Sequence, residues 1–381
     1  MATVILGSYM FRYPLGGMNS WVLQYLLGLK ELGHDVYFVE KSGYANSCYD
    51  PEKEIMSDDC SYGLRVVSEL LTEFGLGQSW CFATGNKTYY GMSGREVNEV
   101  FRSADLYIDM GAHGSWAEEA EYAGLSVLID GEPGYTQINF SNNSRNGLPL
   151  PRYDRYFTNG KNIGTSGNPV PTLGLTWEPV YSPVRTALFP YSSPAASAPY
   201  STIMNWQSHK TIQYEGKTFG QKDVEFQKFL SLPGQVDVPL AVAVSGKEIP
   251  RDQLVKNGWT VDCGKKETLT FDSFRNYLRS CRGEFSVCKQ VFVANNTGWF
   301  SDKSAAFLAS SRPVVLQDTG FSKHLPVGLG LFAVKNIEEA KEAFHEIETN
   351  YTLHSRAARE IACDCLEASV VMKKFTDVLG I

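Results

Sequence analysis

Between residues 291 and 334 the chain reads VFVANNTGWFSDKSAAFLASSRPVVLQDTGFSKHLPVGLGLFAV. The four apolar residues 291–294 are short and β-branched enough to predict a buried strand. The polar turn Asn295-Asn296-Thr297-Gly298 follows. Ala305, Phe307 and Leu308 then fall at helical spacing over 304–310, and Arg312-Pro313 ends that helix, since proline cannot continue it. Residues 314–316 predict a second strand, closed by Asp318-Thr319-Gly320, and 331–334 a third. Strand, polar loop, helix, strand is the grammar of a parallel α/β sheet, which places ligands at the carboxyl ends of its strands.

The passage SSRPVVLQDTG resembles the CGTPVVATDVGG passage of the GT-B glycosyltransferases, two-domain enzymes that use nucleotide-sugar donors. The resemblance implies that this stretch belongs to the donor half, where backbone amides at loops and helix N-termini hold a diphosphate. Asn295, Asn296, Thr297, Gly298, Asp318, Thr319 and Gly320 are the donor-binding residues it implies. The chain departs from the commonest retaining version, which carries two glutamates eight positions apart. The matching positions here are Gly298 and Ala306. Asp302, Lys303 and Ser304 are the polar substitutes nearby, with Lys303 expected to meet a phosphate.

A chain of 381 residues is too long for one ordinary core and suits two domains. Its net charge of −7 and the lack of a basic stripe make nucleic acid an unlikely partner, though not an impossible acceptor. No apolar run approaches the roughly 20 residues needed to span a bilayer. The N-terminus reads as the opening of a strand, without the basic and cleavage regions of a signal peptide. The eight cysteines are scattered without zinc-ribbon spacing, which predicts reduced thiols, a cytoplasmic location and no protein-bound metal.

In the first half, residues 4–8 predict a strand, 18–32 a helix and 35–39 a second strand. Gly16 and Gly17 stand at the start of that helix, where small residues let a ligand approach the backbone. PLGGMNSWVLQYLLGLKELGHDVYFVE is similar to the opening of GT-B enzymes, a glycine pair, a helix, then a GHEV-like turn. Residues 106–108 predict a strand, followed by the glycine-bracketed His113. Residues 127–130 predict another, ending in Asp130 and Glu132. His113, Asp130 and Glu132 are thus the candidate catalytic groups, with turn capping the alternative for the two acids. PYSSPAASAPYS, from 190 on, reads as a linker.

In the second half, Asn205 closes a strand expected at 202–206, and a helix is expected over 222–232. Lys247 follows a strand at 240–244. By resemblance, a cation there opposes the charge of the departing diphosphate without a metal. The expected fold is α/β, two Rossmann-like domains facing across a GT-B cleft: 1–189 on the acceptor side, 190–200 as linker, 201–366 binding the donor. A helix at 367–381 is expected to cross back. The expected activity is metal-independent, cofactor-free transfer of a sugar from a nucleotide-sugar to an unidentified acceptor. The alternatives are a base-modifying DNA glycosyltransferase of phage type, a sugar-nucleotide epimerase, or a non-catalytic binding module.

Overall fold

The computed structural model describes residues 1–111, 113–208 and 210–381. Strands covered on both faces read as continuous apolar runs. Val4-Ile5-Leu6, Leu240 to Val244 and Val314-Val315-Leu316 are accordingly almost wholly buried. In chain order the first half carries β1 (Thr3–Gly7), β2 (Asp35–Lys41), a small hairpin β3–β4 (Cys48–Asp50, Ile55–Ser57), β5 (Trp80–Ala83) and β6 (Tyr89–Gly91). It continues with β7 (Leu106–Asp109), β8 (Ser126–Asp130), β9 (Arg155–Thr158) and β10 (Trp177–Pro179). Eight of them form one sheet in the order β10-β9-β8-β7-β1-β2-β5-β6, parallel except for β6 at its edge.

The second half carries β11 (Tyr200–Asn205), a hairpin β12–β13 (Ile212–Tyr214, Lys217–Phe219), β14 (Leu240–Ser245) and β15 (Thr260–Cys263). β16 (Gly283–Ser286), β17 (Val314–Gln317) and β18 (Leu331–Val334) complete it. Six of these make an all-parallel sheet, β15-β14-β11-β16-β17-β18. Both sheets are doubly wound: the strand order reverses between β1 and β7 in the first, and between β11 and β16 in the second. Doubly wound sheets bind ligands in the crevice at such reversals. These two reversals are therefore the places in the fold suited to a ligand.

Two expected elements differ. The strand expected at 291–294 is a helix, Gln290–Ala294. A four-residue apolar run carries no period of its own; here Val291 and Phe292 bury into the core while Asn295 Nδ2 donates to Val291 O at 2.8 Å, closing the helix. The helix expected over 222–232 is only Lys222–Phe226, continued by 3-10 turns.

The two halves share a core, in which Leu23 and Leu27 of the Gly16–Glu31 helix join Ala305, Leu308 and Phe292. Residues 190–199 contribute no strand or helix. The last helix, Ala368–Leu379, places Val371, Met372 and Phe375 in the core that surrounds β1. Gly28 faces it so closely that a Cβ there would lie 2.7 Å from Met372 Cγ.

Candidate functional site

At the reversal of the second sheet, Thr202 of β11 and Ser286 of β16 are joined hydroxyl to hydroxyl at 2.8 Å. Lys303, in the first turn of the Asp302–Ala309 helix, reaches down onto them. Its ammonium donates to Thr202 Oγ1 at 2.9 Å, to Ser286 Oγ at 2.8 Å and to the Glu284 carboxylate. An ammonium has three protons to donate, and all three are taken. The expectation that Lys303 meets a phosphate is therefore corrected: it is a buried internal cation that pins the helix to the sheet.

A second lysine stands beside it with no such partners. Lys222 opens the Lys222–Phe226 helix, and among the described residues its ammonium has no hydrogen bond or ion pair. Burial pushes its pKa down to about 8, with the charge of Lys303 acting in the same direction. Asp302 lies within reach of both lysines: burial pushes its carboxyl up, while the backbone N–H of Lys303 and the charges of Lys303 and Lys222 pull it back. Around this point several buried polar atoms find no partner among the described residues: Ser304 Oγ in the Asp302–Ala309 helix, Glu284 Oε2 on β16, and both ends of the Asn19 amide. Asn19 is on the Gly16–Glu31 helix, which packs against the Asp302–Ala309 helix. An unpaired buried polar group is unfavourable by roughly 1–3 kcal/mol, so such a concentration marks a place where a polar ligand belongs.

Lys247 lies on the exposed loop after β14, where it lines a cavity of about 400 Å³ with Gln207, Ser208, Gln221 and Asp223. Asn205 ends β11 beside it, its Oδ1 only 2.4 Å from where a Cβ on Gly246 would stand.

The turn at 295–298 does not serve as expected. The N–H groups of Asn296, Thr297 and Gly298 already donate to Val293 O, Phe292 O and Thr319 O. The carbonyls of Asn295, Asn296 and Thr297 receive the first half: Asn162 Nδ2 donates to Asn296 O at 2.8 Å, Asn168 Nδ2 to Asn295 O at 3.1 Å, and Asn162 N to Thr297 O at 2.9 Å. This turn is thus a seam between the halves and not a phosphate cradle. Asp318 is likewise occupied, accepting from Gly320 N and Ser322 Oγ, and Thr319 donates to Trp299 O. Gly320, at φ 92°, leaves no room for a side chain against Asn296.

On the first sheet, Ser8 Oγ donates to Met110 O at 2.6 Å and ties the ends of β1 and β7 together. His113 lies exposed just beyond β7 at φ 53°, in a loop held by Asp109, which accepts from Gly114 N and Tyr153 Oη. Asp130 is corrected as a candidate base. It is 3% exposed, and its oxygens accept from Glu132 N, Thr136 Oγ1, Gln137 Nε2 and Thr158 Oγ1. Its oxygens are thereby occupied within the fold. Glu132 remains accessible and is paired with Lys289 of the second half.

Gly16 and Gly17 divide in role. Gly16 N donates to Thr268 O, and a Cβ on Gly16 would lie 2.0 Å from Thr270 O, so this glycine serves the contact between halves. Gly17 faces open space.

Lys222, Asn19, Glu284 and Lys289 are absent from the sequence-based set. Two of them carry a signal. A lysine in the first turn of a helix opposes the helix dipole, and Asn19 interrupts the apolar stripe continued by Leu23 and Leu27.

No protein-family model matches the chain, and no curated protein sequence matches it. Among solved structures, an alpha-glucosyltransferase in complex with UDP superposes with a TM-score of 0.59 at 10% identity, covering 100% of both chains. An alpha-glucosyltransferase in complex with UDP and a 13-mer DNA containing a central A:G mismatch gives 0.58 at 10% identity, over 99% of each chain. HepE from Anabaena in complex with UDP-glucose gives 0.59 at 12% identity, again over 99% of each. At such identities the likeness establishes the fold, and the chain has the GT-B architecture.

Proposed function

We propose that the chain is a glycosyltransferase that takes a sugar from a nucleotide-sugar donor, UDP-glucose being the first donor to test. The observation that carries this reading is the Lys222 ammonium at the β11/β16 reversal, which has no partner among the described residues and stands by the unpaired Ser304 Oγ and Asn19 amide. The fold and the UDP-bound neighbours support it. The diphosphate sits against Lys222, the start of the Asp302–Ala309 helix and Lys247, while Gly17 leaves the start of the first helix open to the donor. The first half, 1–189, then presents the acceptor and the second, 201–366, the donor. Residues 190–200 link them, and 367–381 return to the first half.

In the transfer, the bond between the anomeric carbon and the diphosphate oxygen breaks and a bond to the acceptor oxygen forms. The acceptor hydroxyl passes its proton to a base at the β1/β7 edge, for which His113 and Glu132 are the candidates. The two electrons of the broken bond leave with the diphosphate, where Lys222 and Lys247 oppose the growing charge. Two lysines in that role make activity without added divalent metal the expected behaviour. An epimerase would need several free carboxylates about one ligand, whereas Asp130 is sealed and Glu284 already holds Lys303 through one oxygen.

A thermal-shift series with UDP, UDP-glucose and other nucleoside diphosphates tests the reading, because a ligand of the folded state raises the melting temperature by mass action. UDP is expected to raise it and UDP-glucose to be slowly hydrolysed. No shift with any nucleotide would contradict it.

A further inference from the structure

Resting on the transferase reading, we propose that the β1/β7 crevice takes a neutral saccharide as acceptor, its ring lying against an aromatic wall of Tyr9, Tyr13 and Trp21. The loop after β1 supplies Tyr9 and Tyr13, and the first helix supplies Trp21. Tyr9 meets Tyr13 edge-on at 6.0 Å and lies tilted against Trp21 at 6.1 Å, and all three are half-buried. Gly111 lets its loop close on Tyr9, where a Cβ would lie only 2.7 Å away, and the Gly131 loop faces Trp21, where a Cβ would make ordinary contact at 3.4 Å. Those loops carry His113 and Glu132, so the wall and the candidate bases share one edge. Glu132 is near enough that its charge, after burial, helps push the Tyr9 hydroxyl up to about 12. Among the described residues, neither the Tyr9 hydroxyl nor the Trp21 indole N–H has a hydrogen-bond partner. Aromatic faces carry negative charge density and suit the C–H face of a sugar ring, while the unpaired hydroxyl and N–H suit its rim of hydroxyls.

Charge around the wall separates this acceptor from a nucleic acid. Polyanion binding requires cations available to phosphates. The β3–β4 hairpin flanks the wall, Tyr44 Oη lying 3.3 Å from Tyr13 Oη and Tyr49 N donating to Arg12 O. Residues 44–59 carry five carboxylates and a single lysine. The cations placed here are already matched: Lys53 with Asp50, Lys265 with Glu54, Arg12 with the buried Glu40. A phosphate backbone crossing this rim would meet carboxylates and paired cations.

Saturation-transfer NMR of the full chain with cellobiose, in the absence of donor, reads the stacking directly and does not depend on transferase activity. Transfer to the sugar C–H protons is expected, reduced roughly tenfold in Trp21→Ala and retained in Trp21→Phe. The thermal shift with UDP serves as the folding control for both variants, and its failure in the unmodified protein would count against the donor reading alone. A duplex containing hydroxymethylcytosine, followed by fluorescence anisotropy at physiological salt, is expected not to bind. Absence of transfer from cellobiose, a signal unchanged in Trp21→Ala, or salt-sensitive binding of the duplex would each overturn the proposal.

Discussion

Lys289 Nζ lies 2.6 Å from both carboxylate oxygens of Glu132, and the two residues belong to different halves of the molecule. Glu132 follows β8 and Lys289 follows β16, so the pair spans the mouth of the cleft between the two strand reversals. The Glu132 side chain is 37% exposed and that of Lys289 10%, so solvent screens the pair on the Glu132 side only. It joins the loop after β8 to the loop after β16. Lys289→Met is predicted to change the melting temperature little and to release bound UDP several-fold faster in stopped-flow displacement.

Lys303 is predicted to behave in the opposite way. Glu284 is wholly buried and its charge is compensated by Lys303. Removing one partner of a buried pair strands the other and destabilises by about 3–5 kcal/mol. Lys303→Ala is therefore expected to show a large loss of stability in urea denaturation. A stable Lys303→Ala protein with weakened UDP binding would reverse the roles given to the two lysines.

The pH dependence follows from Lys222. Its folded pKa of about 8 is below the ordinary lysine value of 10.5, so folding opposes its charged form. The unfolded chain binds more protons between these two values, and stability should rise with pH from about 8 to 10.5 on this group's account. Donor binding runs the other way, because a diphosphate is held by the charged form. UDP affinity is predicted to fall as pH rises through about 8, with a shallower profile in Lys222→Arg, whose guanidinium stays charged. Calorimetric titrations across this range check both slopes.

The adjacent glycines make a paired prediction. Gly16→Ala drives a methyl group into Thr270 O and should destabilise by roughly 1–3 kcal/mol. Gly17→Ala meets nothing within 4 Å and should leave stability unchanged or slightly raised, by up to about 1 kcal/mol. Thermal melts of both variants distinguish a contact between halves from an open helix start.

Much of the architecture is legible in the sequence because buried parallel strands are written as unbroken apolar runs, as at 4–6, 240–244 and 314–316. The run at 291–294 is equally apolar but too short to declare its period, and its surroundings made it helical. The site is less legible, because a side chain's partner is a fact of the fold. Lys303 finds Glu284 19 residues away in sequence, and Asp130 is sealed by Thr158 at a separation of 28. Neither pairing has a spacing that could be read along the chain. Lys247 and His113 are candidates because of their places after strands, whereas Lys222 follows the inserted hairpin β12–β13, which separates it from its strand.

The central claim is that the β11/β16 crevice holds the diphosphate of a nucleotide-sugar against Lys222. Isothermal titration of UDP into the unmodified protein and into Lys222→Ala, both checked for equal melting temperature, tests it most directly. Loss of a charged contact is worth roughly 1.5–3 kcal/mol, so Lys222→Ala should bind UDP about ten- to a hundredfold more weakly while melting no lower than the parent. Equal affinity in the two proteins would contradict the account.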